Sequence, residues 1–420
     1  MNHSILKQVI FDQHEVIQNA EIIDRDYFFE KNLNYILVGL RRAGKSTLLY
    51  RIVKDLMKEG CSWSQIIYIN FEDDRLLGFT KEDFNDIVET AHELSDTREI
   101  YYFFDEIQII EGWEHFARRM ADQKNHVHIT GSNAKMLSSE MASTLGGRYI
   151  PKLIMPFSFS EVLDYNNVAH NEAAMLTTSK SAKIRKACQK YISDGGLPET
   201  FKLSNKREYI KSVYEKVLLG DIVEREKVNN KMALRLMIKK IAETVKNEVS
   251  FNTLAGNVKA AGVKTSTDSI IEYASYAENA YLLFRTRNYV SKFAEKEGTP
   301  RFYFFDNGIL SLFLVDKQSS LLENTVAIHL RRKYGEDIYY YKSNKTGIDI
   351  DFYLPENKTA IQVAYALGEA EEREVRSLLS FAGKTNEQHR LILVTYEEEK
   401  TIEKDGYTIE VIPLHKFLLN

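Results

Sequence analysis

Cysteine and proline are both scarce in this chain. The two cysteines, Cys61 and Cys188, stand far apart. Neither has a histidine or a second cysteine at metal-ligand spacing, so no disulfide framework and no zinc site is expected, and a reducing cytoplasm fits best. Six prolines among 420 residues fall well below the usual share of about 5 per cent. Proline-rich linkers are thereby excluded, and helices or short loops are left to join the domains. No apolar run approaches the roughly 18 residues that a membrane span needs. The start, Met-Asn-His-Ser-Ile-Leu-Lys, lacks the basic segment and apolar core of a signal peptide, so a cytoplasmic protein without a membrane partner is expected. Nor does one charge sign dominate. The 56 Lys+Arg against 60 Asp+Glu leave a net charge of −4, which argues against a protein coating nucleic acid over its whole surface but allows a local basic groove.

What is present is globular. Forty-four per cent of residues are hydrophobic and 28 per cent charged, so disorder is a poor reading. At roughly 150 residues per domain the length implies two to four domains. No internal repeat or low-complexity tract interrupts them. Residues 1–155 alternate short apolar runs with helix-length stretches, the pattern of βαβ units. Strands are predicted at Tyr35–Val38, Ile66–Asn70, Ile100–Phe104, Val127–Thr130 and near Ile150, with helices over Lys45–Lys58, Lys81–Leu94 and Trp113–Gln123. Continuous apolar strands fit a parallel sheet covered on both faces.

Residues 156–230 read as a helical connector, with helices over Ser181–Ser193 and Arg207–Val228 parted by Asp194-Gly195-Gly196-Leu197-Pro198. Residues 231–300 read as three short helices and an extended segment. Residues 301–420 return to mixed α/β character. Strands are predicted there at Ile338–Lys342, Ile348–Tyr353, Thr359–Ala364, Arg390–Thr395 and Tyr407–Ile412, with a helix over Glu369–Ala382.

The sharpest chemical signal is Gly39-Leu40-Arg41-Arg42-Ala43-Gly44-Lys45-Ser46. It matches the phosphate-binding loop at every fixed position, with a strand before it and a helix after it. Gly39, Arg42, Ala43, Gly44 and Thr47 frame the loop, and the helix N-terminus favours an anion. Lys45 is expected to reach the β- and γ-phosphates of ATP, and the Ser46 hydroxyl to ligate Mg²⁺. Asp105 and Glu106 end a strand of large apolar residues. Asp105 is expected on a strand beside the loop strand, holding the metal shell, with Glu106 polarising the attacking water.

Ser132 or Asn133, after Val127–Thr130, could sense the γ-phosphate, or could form an ordinary turn that caps the next helix. Arg148, after Gly146-Gly147, could contact the γ-phosphate of its own or a neighbouring subunit, or sit on a surface loop. The acids of Asn70-Phe71-Glu72-Asp73-Asp74 read more readily as helix caps than as metal ligands. His128 reads as a core residue.

Taken in order, Arg41–Ser46, Phe104-Asp105-Glu106-Ile107-Gln108, Thr130-Gly131-Ser132, Gly147-Arg148 and Pro156–Glu161 resemble the prokaryotic AAA-type ATPases whose C-terminal half carries a domain of unknown function. Gly195–Pro198, Asp221–Arg225 and Tyr303–Gly308 extend the resemblance over nearly the whole chain. The resemblance implies an α/β class. Its parts would be a P-loop ATPase sheet over 1–155, a winged-helix segment over 231–300 and a restriction-endonuclease-like domain over 301–420. It further implies ATP and Mg²⁺ binding with slow hydrolysis, with Ser132 as the sensor candidate and Arg148 matching the family's Gly-Arg.

The nuclease core of that fold would align Glu323, then Asp349-Ile350-Asp351, then Ile361-Gln362-Val363-Ala364. Gln362 stands where a carboxylate is needed and Ala364 where a lysine is needed, so nuclease activity is not expected. The expected function is a Mg²⁺-dependent, nucleotide-gated switch acting on a protein or DNA partner, with assembly into a homo-oligomer open. One alternative is an ATP-controlled DNA-binding protein using the winged helix. Another is an interaction scaffold with a degenerate nuclease fold. No Asn-Lys-x-Asp tetrapeptide favours guanine.

Overall fold

Five short runs of large apolar residues become parallel strands: β1 (Asn34–Val38), β2 (Ile66–Asn70), β3 (Tyr101–Asp105), β4 (His126–Gly131) and β5 (Tyr149–Leu153). The computed structural model describes residues 1–97, 99–137, 139–315, 318–368, 370–385 and 387–420. Its chain divides into two units, Met1–Met155 with Asn279–Tyr281, and Pro156–Glu278 with Leu282–Asn420. The sheet of the first unit has the order β2-β3-β4-β1-β5, and every pairing in it is parallel. All five carboxyl ends therefore share one edge. The expectation that the Asp105 strand lies beside the loop strand is corrected here, because β4 sits between β1 and β3.

Strand β3 is buried along its full length, as a strand covered on both faces must be. The cover comes from α1 (His3–Asn19), α2 (Lys45–Lys58), α3 (Phe84–Leu94) and α4 (Trp113–Asp122). The predicted helix over Lys81–Leu94 opens instead as a 3-10 turn, Lys81–Asp83, before α3. Helix α1 was not expected from the sequence, although Leu6, Val9, Ile10, His14 and Ile17 bury one face at helical spacing. Asn2 caps it by accepting from the Ser4 N–H at 2.8 Å. His14 Nε2 lies 2.8 Å from the Ile66 carbonyl, which ties the helix to β2.

The second unit begins with helices, among them Thr178–Asp194 and Lys206–Lys216. The single helix predicted over Arg207–Val228 turns into a π-helix at Val217–Glu224. Three helices follow, Lys231–Glu243, Phe251–Ala260 and Thr267–Asn279. Then come β6 (Leu283–Asn288), β7 (Arg301–Phe304), β8 (Tyr339–Ser343), β9 (Ile348–Leu354), β10 (Thr359–Ala364), β11 (Arg390–Thr395), β12 (Lys400–Lys404) and β13 (Tyr407–Pro413). They form one mixed sheet in the order β12-β13-β11-β10-β9-β8-β6-β7. This sheet crosses residue 300, since β6 pairs antiparallel with β7 and parallel with β8. Glu369, the first residue of the helix predicted after β10, lies outside the described residues, and the helix observed is Ala370–Lys384. No helix among the described residues is long and apolar enough to cross a membrane.

Two sequence motifs that look functional meet for a packing reason. Asp306 is fully buried, and its carboxylate accepts from the Gly196 N–H at 2.8 Å and the Ile309 N–H at 3.1 Å. A Cβ on Gly195, whose φ is +76°, would come within 2.4 Å of that carboxylate, which excludes larger residues there. Asn307 Nδ2 donates to the carbonyls of Ile192 at 3.0 Å and Leu321 at 2.9 Å. Burial pushes Asp306 up to about 6. The unfolded value is about 3.9, so the native state takes up a proton between these values, and the stability it gains is lost as pH rises through 6. Asp306→Asn removes this slope and turns an amide N–H toward a backbone N–H. Urea denaturation at pH 5 and pH 7 is expected to report a loss of about 1–3 kcal/mol at neutral pH and a flatter pH dependence than the wild type.

Candidate nucleotide site

The loop after β1 is shaped by residues that cannot be exchanged freely. A Cβ on Gly39, at φ +147°, would lie 2.1 Å from the Ile154 carbonyl oxygen. Arg42 at φ +66° and Gly44 at φ +97° both adopt left-handed backbone, and they curl the chain so that α2 starts at Lys45. The first amides of α2 thus point at the loop, where an anion is favoured by both the free N–H groups and the helix dipole. Ala43 is buried, Arg42 exposed, and Ser46 and Thr47 half-buried. Lys45 is only 5 % exposed. Its Nζ donates to the carbonyls of Gly39 at 3.0 Å and Leu40 at 3.2 Å, which holds the ammonium inside the loop.

The two acids end β3 on the same edge and have different surroundings. Asp105 accepts from the Tyr68 hydroxyl at 2.9 Å and from the Thr130 hydroxyl. Burial and the nearby Asp105 hold the Tyr68 phenol well above its usual range, so it stays a donor. Glu106 turns at φ +54°, a strained conformation for a residue with a side chain. Its own N–H donates to Thr130 Oγ1 at 3.0 Å. Oε1 lies 4.0 Å from Lys45 Nζ. Oε2 accepts from Gln108 Nε2 at 2.5 Å and from the Ser132 hydroxyl at 3.3 Å. Burial raises the Glu106 carboxyl from its ordinary value, with Lys45 opposing.

Of the two residues that could serve as sensor, Ser132 is the one aimed at this acid. Asn133 instead accepts from the Lys135 N–H at 2.9 Å and caps a turn. The acids after β2 are also spoken for, because Glu72 pairs with Arg41 at 2.9 Å and Asp73 accepts from the Arg75 N–H at 3.0 Å.

Arg148 is not brought to the site. It precedes β5, whose first residue pairs in register with Asn34 at the start of β1, so it lies at the opposite edge of the sheet. Five strand residues at about 3.3 Å each separate the two edges by roughly 16 Å. Arg148 Nε ion-pairs there with Asp122. Contact with the γ-phosphate of its own subunit is therefore corrected: the distance exceeds the reach of an arginine.

Four contributors escaped sequence reasoning. Arg25 is 7 % exposed and donates to the carbonyls of Ala43 and Met155, each at 2.8 Å, so it pins the loop to the end of the sheet. Tyr68, Thr130 and Gln108 complete the shell around the acids. Arg25 belongs to no spacing rule, and its two acceptors lie 18 and 130 residues away. Tyr68 and Thr130 were readable as strand residues, but their partner depended on which strands are neighbours.

The donor chemistry fits Mg²⁺. The Ser46 hydroxyl and the Asp105 carboxylate are hard oxygen ligands of the kind this ion takes, and the two Asp105 oxygens accept from the Tyr68 and Thr130 hydroxyls.

A second polar cavity, about 1050 Å³, opens in the second unit where β9 and β10 part. Their ladder pairs only Thr359–Ile361 with Phe352–Leu354. Beyond it Gln362 replaces the ladder. Its Oε1 accepts from the Asp351 N–H at 2.7 Å, and its Nε2 donates to the Asp349 carbonyl at 3.0 Å and to Glu374 at 2.7 Å. A carboxylate could not donate those two bonds. Arg301, buried, ion-pairs with Asp349 at 2.6 Å and Asp351 at 3.3 Å. Glu323 accepts from the Tyr303 hydroxyl at 2.9 Å, and burial, then Asp351, hold it above its usual range. Ala364 lines the wall without chemistry of its own.

The AAA domain family matches residues 31–163. Two domains of unknown function match further along the chain, DUF8612 over residues 185–320 and DUF4143 over residues 318–417. The chain is 30% identical over 431 residues to an uncharacterized protein of Methanocaldococcus jannaschii, MJ1544, covering 99% of this chain and 95% of that one. It is 29% identical over 393 residues to an uncharacterized protein of Haemophilus influenzae, covering 91% and 94%. The solved structure of the Aeropyrum pernix Orc1 protein in complex with DNA is similar at 13% identity with a TM-score of 0.30, covering 77% of this chain and 93% of that one. This chain belongs to the family of AAA-type P-loop ATPases whose C-terminal half carries a domain of unknown function.

Proposed function

We propose that the protein is a Mg²⁺-dependent ATPase that works as a nucleotide-gated switch on a partner macromolecule. The observation that carries this reading is the convergence of Lys45 and Glu106, 4.0 Å apart and both buried, on the edge that bears the phosphate loop. ATP draws the Lys45 ammonium from the Gly39 and Leu40 carbonyls onto its β- and γ-phosphate oxygens. Glu106 takes a proton from water as the water oxygen bonds to the γ-phosphorus. The bond from that phosphorus to the bridging oxygen breaks, and ADP leaves with the electron pair. The proton then passes from Glu106 to the phosphate released. Ser132 senses the event through the Glu106 oxygen it already bonds. Ser46 and Asp105 would hold Mg²⁺, which would supply charge neutralisation to the phosphates. Arg148 keeps a role only toward a neighbouring subunit.

A DNA partner is the second reading. The helices Lys231–Glu243, Phe251–Ala260 and Thr267–Asn279, followed by β6 and β7 with the Glu248–Arg301 bridge, have the element order of a winged helix. Its third helix, however, carries Asp268, Glu272 and Glu278 and no lysine or arginine. Arg285 pairs with Glu278, Arg287 with Glu297 at 2.7 Å, and Lys246 bonds Ser319 at 2.9 Å. With Lys246, Arg285 and Arg287 engaged this way and only acids among the charges of the third helix, a protein partner is favoured over DNA. The second unit is read as a scaffold and not a nuclease, because Arg301 neutralises Asp349 and Asp351 and Gln362 is committed to its neighbours.

Lys45→Ala is expected to abolish binding of a fluorescent ATP analogue. Glu106→Gln is expected to bind it normally and to release phosphate about 10²–10⁴ times more slowly; normal turnover by Glu106→Gln would remove that residue as the base. Wild-type phosphate release is expected to be unchanged by duplex or single-stranded DNA at low salt. Stimulation by DNA that fades with salt would restore the second reading.

A further inference from the structure

Sequence motifs assign the acids of this site, and neither they nor the hydrolytic scheme assigns anything to Gln108. Its placement is unusual for a surface turn. Glu106 at φ +54° bends the chain as β3 ends, and a 3-10 turn, Ile107–Ile109, carries Gln108 back over the acid two residues earlier. Its Nε2 donates to Glu106 Oε2 at 2.5 Å. Only the amide N–H₂ can face an ionised carboxylate, so the side chain has one productive orientation. That orientation leaves Gln108 Oε1 buried without a hydrogen-bond partner, a cost of the kind folded chains rarely keep without compensation.

The floor under the amide is equally specific. A Cβ on Gly131 would lie 2.6 Å from Gln108 Oε1 and 2.0 Å from Met136 Sδ. Gly131 thus leaves the room in which the Gln108 amide sits.

We propose that Gln108 is a positioning residue that fixes which oxygen of Glu106 acts as the base. With Ser132, Gln108 engages Oε2 and holds it away from the loop, while Oε1 faces Lys45 Nζ at 4.0 Å. When Lys45 moves to phosphate, Oε1 is the oxygen left open toward the γ-phosphate, and it takes the proton of the attacking water. This inference rests on Glu106 being the base. Loss of the Gln108 bond would let the carboxylate rotate, and misplacement of a reacting group by about 1 Å can cost 10²-fold in rate.

Two variants of the full-length chain test this. Gln108→Met keeps the length of the side chain and removes the donor. Gly131→Ala leaves Gln108 in the sequence but pushes on its amide and on the flexible end of Met136, so it remains informative if Gln108→Met fails to fold. Both are expected to lower kcat for phosphate release about ten- to hundredfold. KM is expected to stay within about twofold of wild type, as is affinity for a fluorescent ATP analogue without Mg²⁺. Both should carry ATP and not ADP through gel filtration, as is expected of Glu106→Gln. A wild-type kcat in Gln108→Met would overturn the proposal. So would a parallel loss of kcat and nucleotide affinity, which marks a merely structural residue. If Glu106→Gln itself turns over normally, the base assignment has failed, whereas an inactive Glu106→Gln beside a fully active Gln108→Met isolates the failure to Gln108.

Discussion

The position of β4 between β1 and β3 is the constraint on which the rest of the nucleotide edge depends. Parallel pairing gives every strand of this sheet the same direction, so five carboxyl ends emerge together. The inserted strand then sets which side chains can meet across the edge. Thr130, the next-to-last residue of β4, lies beside both Asp105 and Glu106, donating to one and accepting from the other. From the other flank Tyr68 of β2 reaches Asp105. Had β3 lain directly against β1, Thr130 and Ser132 would have had no place between the loop and the acids.

This arrangement concentrates charge where water is scarce. Lys45 and Glu106 are nearly fully buried, and burying ions costs several kcal/mol each unless they are paired and bonded. The chain offsets that cost locally. Loop carbonyls hold the ammonium, while Gln108 and Ser132 hold one carboxylate oxygen. Buried groups held this way respond strongly to an arriving phosphate, since a low dielectric magnifies each exchange of partner. Arg25 serves the same end from the back, tying the loop carbonyl of Ala43 to that of Met155. Strain at Arg42 and Glu106 sits within this bonded frame, as backbone strain at functional sites commonly does.

The second unit applies similar chemistry to architecture. Asp306 and Gln362 are buried polar residues that replace missing backbone partners, one at a glycine turn and the other where β9 and β10 part. Arg301 then supplies positive charge between two acids. Such networks are costly if broken and specify one arrangement when complete. The glycines near Asp306 mark its closeness and not a ligand.

By itself the sequence determined the local facts. The loop motif, the apolar strands ending in Asp105-Glu106 and the covered parallel sheet were all legible, because spacing, strand hydrophobicity and turn residues act over a few positions. Helix α1 was legible too, through its spacing of buried residues, but an unframed helix carries no motif to draw attention to it. Only the tertiary structure decided the rest. Strand order separated β3 from β1, put Arg148 at the far edge and placed Ser132, not Asn133, against Glu106. It also gave Arg25, Tyr68 and Gln108 their partners and filled the gap between Asp349 and Asp351 with Arg301. Those outcomes depend on which strands become neighbours and on contacts spanning tens of residues. Pattern along the chain cannot encode them, since side-chain reach is a few ångströms in space whatever the separation in sequence.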